Sequence, residues 1–303
     1  MARPDLAHSS NAAGPWYVDN RCIRCDASRN WAPGLIEADA MGRSYVARQP
    51  EREDEQAAMW RAAATCPTKS IGNLSHPTEP LGIFPYLLTE GVIALGNNAL
   101  SSFAAHSFLV ERPDGNLMVD SPRYNRTLAE SVDSLGGIAH ILLSHRDDVA
   151  DADRWAERYG ARVWIGEADR DAAPYATDVT PGDTVTVISP GVGSIPAPGH
   201  TAGHVVYHID NRLLFTGDTL HWNHRRGEMD VFPKQTFYSW AILADTIDML
   251  AALPVDWVFA GHGMWHNIGD QEWKRQMAAL GPAMRDLGQA HWSQRPDTTY
   301  GWY

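Results

Sequence analysis

From about residue 91 onward, short apolar runs alternate with helical patterns. Ser107-Phe-Leu-Val110 and Leu117-Met-Val-Asp120 flank Pro113-Asp-Gly-Asn116, and turn formers between two β-rich runs predict a hairpin. A helical pattern at 126–135 is closed by Gly136-Gly137, a good helix stop. A buried strand follows at 138–143 and ends at Ser144-His145. Residues 151–159 read as helix with Gly160 after them, and 162–165, 184–188, 205–209 and 212–215 read as strands. An amphipathic helix is predicted over 238–253, a strand over 255–260 ending at Gly261-His262, and a last helix over 272–287 before a polar, loose tail. Strands and helices are mixed, and polar residues stand just after strand ends, which is how a layered α/β scaffold carries a site.

The chain divides near residue 75. Residues 16–73 contain all the cysteines, and His76–Pro85 contains three prolines and a glycine. Proline fixes the backbone and removes a donor, so 74–90 reads as a linker, with a plain long loop as the alternative. The expected layout is a flexible stretch 1–15, a small domain 16–73, the linker, a large domain 91–275, and a C-terminal helix and tail 276–303.

Composition bounds the function. The 303 residues are 44% hydrophobic and 20% charged, enough to bury a full core. The net charge of −12 argues against non-specific nucleic-acid or anionic-membrane binding, which need a basic surface. No apolar run approaches the roughly 20 residues of a membrane span. Residues 1–15 lack a secretory pattern, so a cytoplasmic protein is expected. Three cysteines, two of them in a C-x-x-C, make a poor disulfide framework and point to metal or redox chemistry. The 12 tryptophans are scattered and read as packing.

Four segments hold candidate ligands: Ser144–Asp151, Pro198-Gly-His200-Thr-Ala-Gly-His204, Phe215-Thr-Gly-Asp218-Thr219 and Ala260-Gly-His262-Gly263. Imidazoles and carboxylates without sulfur suit one or two ions of zinc, manganese or iron. A carboxylate between two ions can bridge them, and Asp218 is the candidate. In this order and context the segments resemble the metallo-β-lactamase superfamily over about residues 91–270. The resemblance implies an αββα sandwich with its metals at one edge. It implies His145, Asp147 and His200 on a first ion, Asp151 and His262 on a second, and Asp218 bridging, with Asp151 and Asp218 as the catalytic carboxylates. The first segment departs from the usual H-x-H-x-D-H. Asp147 stands where the second histidine would be, which resembles the diiron branch of the superfamily. The Asp-His pair is displaced to Asp151-Ala152, so the second ion lacks a nitrogen. Asp148 is an alternative donor, or one ion binds alone, and restoring histidine at Ala152 is expected to strengthen the second site. His204 is expected beside the metals rather than on them. His221, His224 and Tyr238 are candidate substrate contacts.

Cys22-Ile-Arg-Cys25-Asp-Ala-Ser28 followed by Cys66-Pro67 resembles a single-cluster bacterial ferredoxin domain, with Ser28 in the third cysteine position. The resemblance implies a small α+β unit with paired edge strands at 17–19 and 69–72, a middle strand at 46–50 and a helix at 56–64. Three outcomes stay open: a 4Fe-4S cluster completed by Ser28, water or substrate; a 3Fe-4S cluster; or a relic unit without one.

The function expected is hydrolysis of a small molecule's ester, thioester, lactone or amide bond by hydroxide held on the metal. The alternatives are an iron-dependent oxidoreductase fed by the N-terminal cluster and an electron-transfer partner, and a binding protein with a partly decayed site. Neither nucleic acid nor a membrane is expected as a partner.

Overall fold

The computed structural model describes residues 1–295, and the tail at 296–303 lies outside the described residues. The N-terminal unit runs β1 (Trp16–Val18), α1 (Ala27–Trp31), β2 (Ile36–Ala38), β3 (Ser44–Val46), α2 (Glu53–Thr65) and β4 (Ile71–Asn73). β1 and β4 pair antiparallel with Val18 opposite Ile71, as the expected edge strands do, and β2 pairs with β3. The middle strand falls earlier than 46–50, because the chain turns away before Pro50. Helix α2 begins before residue 56, at Glu53. Three acidic residues favour that end of the helix dipole, and the Glu55 carboxylate accepts the N–H groups of Glu51 and Arg52.

Residues 1–15 are not the loose stretch expected of them. The N–H of His8 donates to Val18 O at 2.8 Å and that of Asn20 to Leu6 O at 2.9 Å. The Asn11 side chain also ties β1 to β3 through Val18 and Val46. Backbone polar groups beside an edge strand need partners, and this stretch supplies them.

The large domain opens with β5 (Tyr86–Thr89), inside the expected linker, and β6 (Val92–Ala94). It continues through β7 (Phe108–Val110), β8 (Leu117–Val119), α3 (Arg126–Ser134), β9 (His140–Leu142), α4 (Ala152–Tyr159), β10 (Arg162–Gly166) and β11 (Asp178–Thr180). These strands form a seven-stranded sheet ordered β11-β10-β9-β8-β7-β6-β5, parallel from β11 to β8 and antiparallel beyond. The second half holds β12 (Thr186–Ser189), β13 (Val192–Pro196), β14 (Val205–Ile209), β15 (Leu213–Gly217), β16 (His221–Asn223), β17 (Glu228–Asp230), α5 (Trp240–Leu250), β18 (Trp257–Ala260), β19 (His266–Asn267) and α6 (Asp270–Trp292). Its main sheet is ordered β12-β13-β14-β15-β18-β19. Asn125 caps α3 and Ser239 caps α5, each through its side-chain oxygen.

Side-chain alternation sorts the strands into layers. Phe108, Val110, Leu117 and Val119 meet Tyr207, Phe215 and Phe259 between the two sheets. Leu109 and Met118 point the other way, under Leu128, Val132 and Trp155 of α3 and α4. Val206, Leu214 and Val258 lie under Leu243, Ile247, Trp273 and Met277 of α5 and α6. The order is helix, sheet, sheet, helix, the αββα sandwich. The N-terminal unit does not close its core alone. Trp31 of α1 packs on Phe84 and Trp265 with ring centroids 5.0 and 4.6 Å away, and Phe84 and Ala94 belong to the same cluster as Trp16, Val46 and Met59.

Candidate metal centre

Four loops after strand ends bring the candidate ligands together. His145, Asp147 and Asp148 follow β9, His200 lies between β13 and β14, Asp218 follows β15 directly, and His262 follows β18. Oδ2 of Asp218 lies 3.7 Å from Nε2 of His200 and 3.9 Å from Nε2 of both His145 and His262. Oδ2 of Asp147 lies 3.4 Å from Nε2 of His200 and 3.7 Å from Nε2 of His145. Asp148 Oδ2 is 3.9 Å from the other ring nitrogen of His145. His145, Asp147 and His200 form one set of mutually close donors, and His145, Asp148 and Asp218 form another.

The donor set fits a divalent ion. Two donors, each about 2.1 Å from one tetrahedral ion, lie about 3.4 Å apart. Among the described residues, Nε2 of His145, Nε2 of His200, Oδ2 of Asp148 and Oδ1 of Asp218 are buried without a hydrogen-bond partner. Such atoms carry a large desolvation cost unless something else satisfies them. Gly261 keeps the space between the carboxylates open: a Cβ there would stand 2.9 Å from Asp148 Oδ2 and 3.0 Å from Asp218 Oδ1.

Neighbours fix the ligands. Ser144 Oγ donates to Asp120 Oδ2 at 3.0 Å and lies 2.9 Å from Nδ1 of His145. The N–H of Asp218 donates to Nε2 of His204 at 3.1 Å, and Thr219 Oγ1 is 3.0 Å from its Nδ1, so both ring nitrogens of His204 are engaged in the loop. Gly217 (φ 47°) is required before Asp218, since a Cβ would meet Ser144 Oγ at 2.5 Å and His204 Nε2 at 2.8 Å.

Burial sets the electrostatics. It holds the pKa of His145, and likewise of His262, well below the usual imidazole value, with neighbouring histidines adding to the effect, and neutral imidazole is the ligand form. Burial also opposes charge on His200, but Asp147 and Asp218 outweigh it and raise its pKa. Burial pushes Asp218 up to about 6, against the pull of His200, and pushes Asp148 far above the carboxylate range with the help of Asp218. Carboxylates held this way favour a bound cation.

The other expected residues do not join the donor set, although His221 is close enough to His262 to lower its pKa. Asp151 is not brought to the cluster: it starts α4, and its Oδ2 accepts the N–H of Tyr124 at 2.8 Å. Asp148 occupies the interior in its stead. Ala152 is fully buried in the core beneath the first sheet, among Trp155 and Val163. His221 is buried and stacked on Phe232 at 4.0 Å, with its pKa pressed down to about 3 by burial and His224. His224 borders a separate small cavity with Asp26, Arg29 and Glu37. Tyr238 is exposed, and its N–H donates to His200 O.

A cavity of about 420 Å³ opens onto the cluster. Its walls include Ser101, Ser102 and Phe103 before β7, Gln235 and Phe237 before α5, and Ile23 and Arg24 from the N-terminal unit. None of these was a candidate from sequence. Phe237 lies next to Tyr238, so the segment was legible and the residue was not. Ile23 and Arg24 sit between Cys22 and Cys25, and nothing in that spacing places them at the metal cluster.

The cysteine loops are also preorganised. Cys22 Sγ accepts the N–H of Arg24 at 3.4 Å and of Ser44 at 3.3 Å, and Cys66 Sγ accepts that of Ser70 at 3.3 Å. Arg24, Asp26 and Lys69 adopt positive φ, which aims these loop amides. Cys25 is buried, and burial with nearby Cys66 raises its thiol pKa well above normal, so a thiolate there needs a cation. Ser28 is buried in the first turn of α1. Backbone donors aimed at sulfur fit a thiolate-held cluster.

Comparison with known proteins agrees with both parts. The family described as "Metallo-beta-lactamase superfamily" matches residues 98–279, and "4Fe-4S single cluster domain of Ferredoxin I" matches 18–73. The chain is 33% identical over 155 residues to a hydroxyacylglutathione hydrolase of Rhodobacter capsulatus, covering 49% of this chain and 57% of that protein. It is 34% identical over 119 residues to one of Acidiphilium cryptum, covering 38% and 49%. The chain thus spans about half the length of the curated relatives it matches. Among solved structures it is similar to a metallo-beta-lactamase mutant from Cronobacter sakazakii, with a TM-score of 0.49, 17% identity and 70% and 98% of the two chains covered. It is also similar to one from Hirschia baltica, with a TM-score of 0.46, 17% identity, and 64% and 95% covered.

Proposed function

The chain belongs to the metallo-beta-lactamase superfamily, and on that premise we propose that it is a metal-dependent acyl hydrolase acting on a small-molecule thioester. The observation that carries this reading is Asp218, whose Oδ2 stands within 3.9 Å of Nε2 of His145, His200 and His262. A carboxylate shared by three imidazoles, two of them kept neutral by burial, is built to sit between cations. His145, Asp147 and His200 would hold one ion; Asp148 and His262 would hold a second, with Asp218 between them. Bound there, zinc or iron supplies Lewis acidity and lowers the pKa of water at the site.

The chain's own residues do the rest. Asp218 and Asp148 are buried carboxylates whose negative charge would face the ions and hold them beneath the cavity. Phe103, Phe237 and Ile23 give the cavity an apolar surface for an acyl chain, while Ser101 and Gln235 bring polar groups for its carbonyl. The large domain contains no cysteine to act as a nucleophile. The thioester is favoured because the relatives named above carry the name hydroxyacylglutathione hydrolase. In the same reading Cys22, Cys25 and Cys66 hold an iron–sulfur cluster, supported by the N–H groups aimed at sulfur and by the family match.

The test loads zinc, manganese and iron separately into metal-free protein and assays each form on thioester, lactone and β-lactam substrates. Thioester hydrolysis by at least one form is expected. Hydrolysis with none, alongside reductant-dependent oxygen uptake with iron, assigns the site to redox chemistry instead.

A further inference from the structure

Part of the wall around the metal cluster does not belong to the large domain. Ile23 and Arg24, the two residues between Cys22 and Cys25, line the same cavity as His200, Asp218 and His262. We propose that Arg24 is a specificity-determining residue that binds a carboxylate on the substrate, a role that rests on the acyl-hydrolase reading.

Arg24 is the only lysine or arginine among the described residues lining this cavity. The other charged groups there are the aspartates Asp147, Asp148 and Asp218, in a protein of net charge −12. Metal ions held at the cluster would offset those aspartates, but an anionic group elsewhere on the substrate still needs a cation of its own. A guanidinium presents a planar fork that pairs with a carboxylate through two parallel hydrogen bonds, which gives geometry as well as attraction.

The loop holding Arg24 is fixed rather than incidental. Arg24 has φ 70°, an uncommon conformation for a residue with a side chain, and its N–H donates to Cys22 Sγ. Behind it, Cys25 is buried against Ala27 and Ala104, with Ile23 and Phe103 packed on them. Phe103 in turn lines the cavity, its ring centroid 6.4 Å from that of His262. Backbone strain of this kind persists where the surroundings over-determine it, and it recurs at ligand clamps. The N-terminal unit therefore contributes a half-buried cation to the wall of this cavity, and the described residues that the large domain places there include no lysine or arginine.

The test uses two thioesters that differ only in a carboxylate or a primary amide on the thiol half, assayed with full-length, metal-loaded protein. The wild type is expected to favour the acid by about tenfold in kcat/KM, expressed mainly in KM. Arg24→Gln brings the ratio to about one, and Arg24→Lys, which keeps the charge without the fork, keeps part of it. Equal losses on both substrates in Arg24→Gln, or no preference in the wild type, overturn the proposal. The corresponding thioethers, which cannot be hydrolysed, are titrated by calorimetry in parallel. If neither thioester turns over but the acid thioether binds about tenfold tighter than the amide, and Arg24→Gln abolishes that, the hydrolase reading falls and the carboxylate site stands. Equal binding of both thioethers to the wild type removes the site.

Discussion

Ser144 holds His145 by a hydrogen bond of 2.9 Å between its Oγ and Nδ1 of the ring. Because the same hydroxyl donates to buried Asp120, it accepts from Nδ1–H, and the lone pair of His145 is left on Nε2, facing Asp147 and Asp218. Ser144→Ala frees the ring to choose the other tautomer. Metal affinity should fall by about 10–100-fold with the fold retained, read by chelator competition. An unchanged affinity would mean that some other group sets the tautomer.

Asp218→Asn should act in opposite directions on two states. In the metal-loaded enzyme it removes the shared carboxylate, so kcat should drop by about a hundredfold or more while KM moves little. In metal-free protein it removes a buried charge that His200 offsets only in part, so the melting temperature should rise above that of the metal-free wild type. A fall in both states would show that Asp218 serves the fold instead.

How much of this was legible depends on where each signal lies. His145, His200, Asp218 and His262 each sit in a short motif directly after an apolar run, and the structure brings all four to one place. The choice between Asp148 and Asp151 was beyond spacing alone. The loop passes through Ala150 at φ 34°, which turns Asp148 inward and leaves Asp151 to begin α4. Strands such as β7 and β8 read as plain apolar runs because both sheet faces are covered, so alternation of polarity is absent. Strand β5 escaped notice as a half-exposed edge strand beyond a proline-rich stretch. Arg24 and His262 line one cavity from segments far apart in the chain, and no local pattern encodes that.

Ala152 gives a direct contrast with the motif-based expectation. Histidine there would not reach the metals but would enter the packed core with Trp155 and Val163. Ala152→His should cost about 1–3 kcal/mol of stability and leave metal stoichiometry unchanged, measured by denaturant unfolding and elemental analysis. A gain of one bound ion would overturn this placement.

Protein purified without oxygen should contain iron and acid-labile sulfide, and Cys66→Ser should lose both. Ser28→Cys should slow bleaching in air, since a fourth thiolate replaces a poor ligand. Colourless, sulfide-free wild-type protein would make the N-terminal unit a relic.

The pH dependence of the N-terminal unit should rest on Glu55, held down to about 2 first by the hydrogen bond from Arg48, and on Asp39. Burial alone raises the pKa of Asp39, but hydrogen bonds from Arg43, His8 and Met41 prevail and bring it down from 3.8 to about 2. A carboxyl depressed in the folded state stabilises fully above its unfolded pKa and stops doing so as pH falls through the folded one. The melting temperature should therefore decline between pH 4 and 2, and Asp39→Asn should flatten that decline. An identical pH profile in the variant would place the acid sensitivity elsewhere.

Trp31, wedged between Phe84 and Trp265, makes the boundary between the two units a poor line of fracture. Side chains on either side of the supposed linker fill one common interior, so neither unit can lose its structure without exposing the other's aromatic rings. The chain is then expected to unfold as a single cooperative body, and damage to the cysteine-bearing end is felt as lost stability at the metal cluster, whose cavity Ile23 and Arg24 help to line.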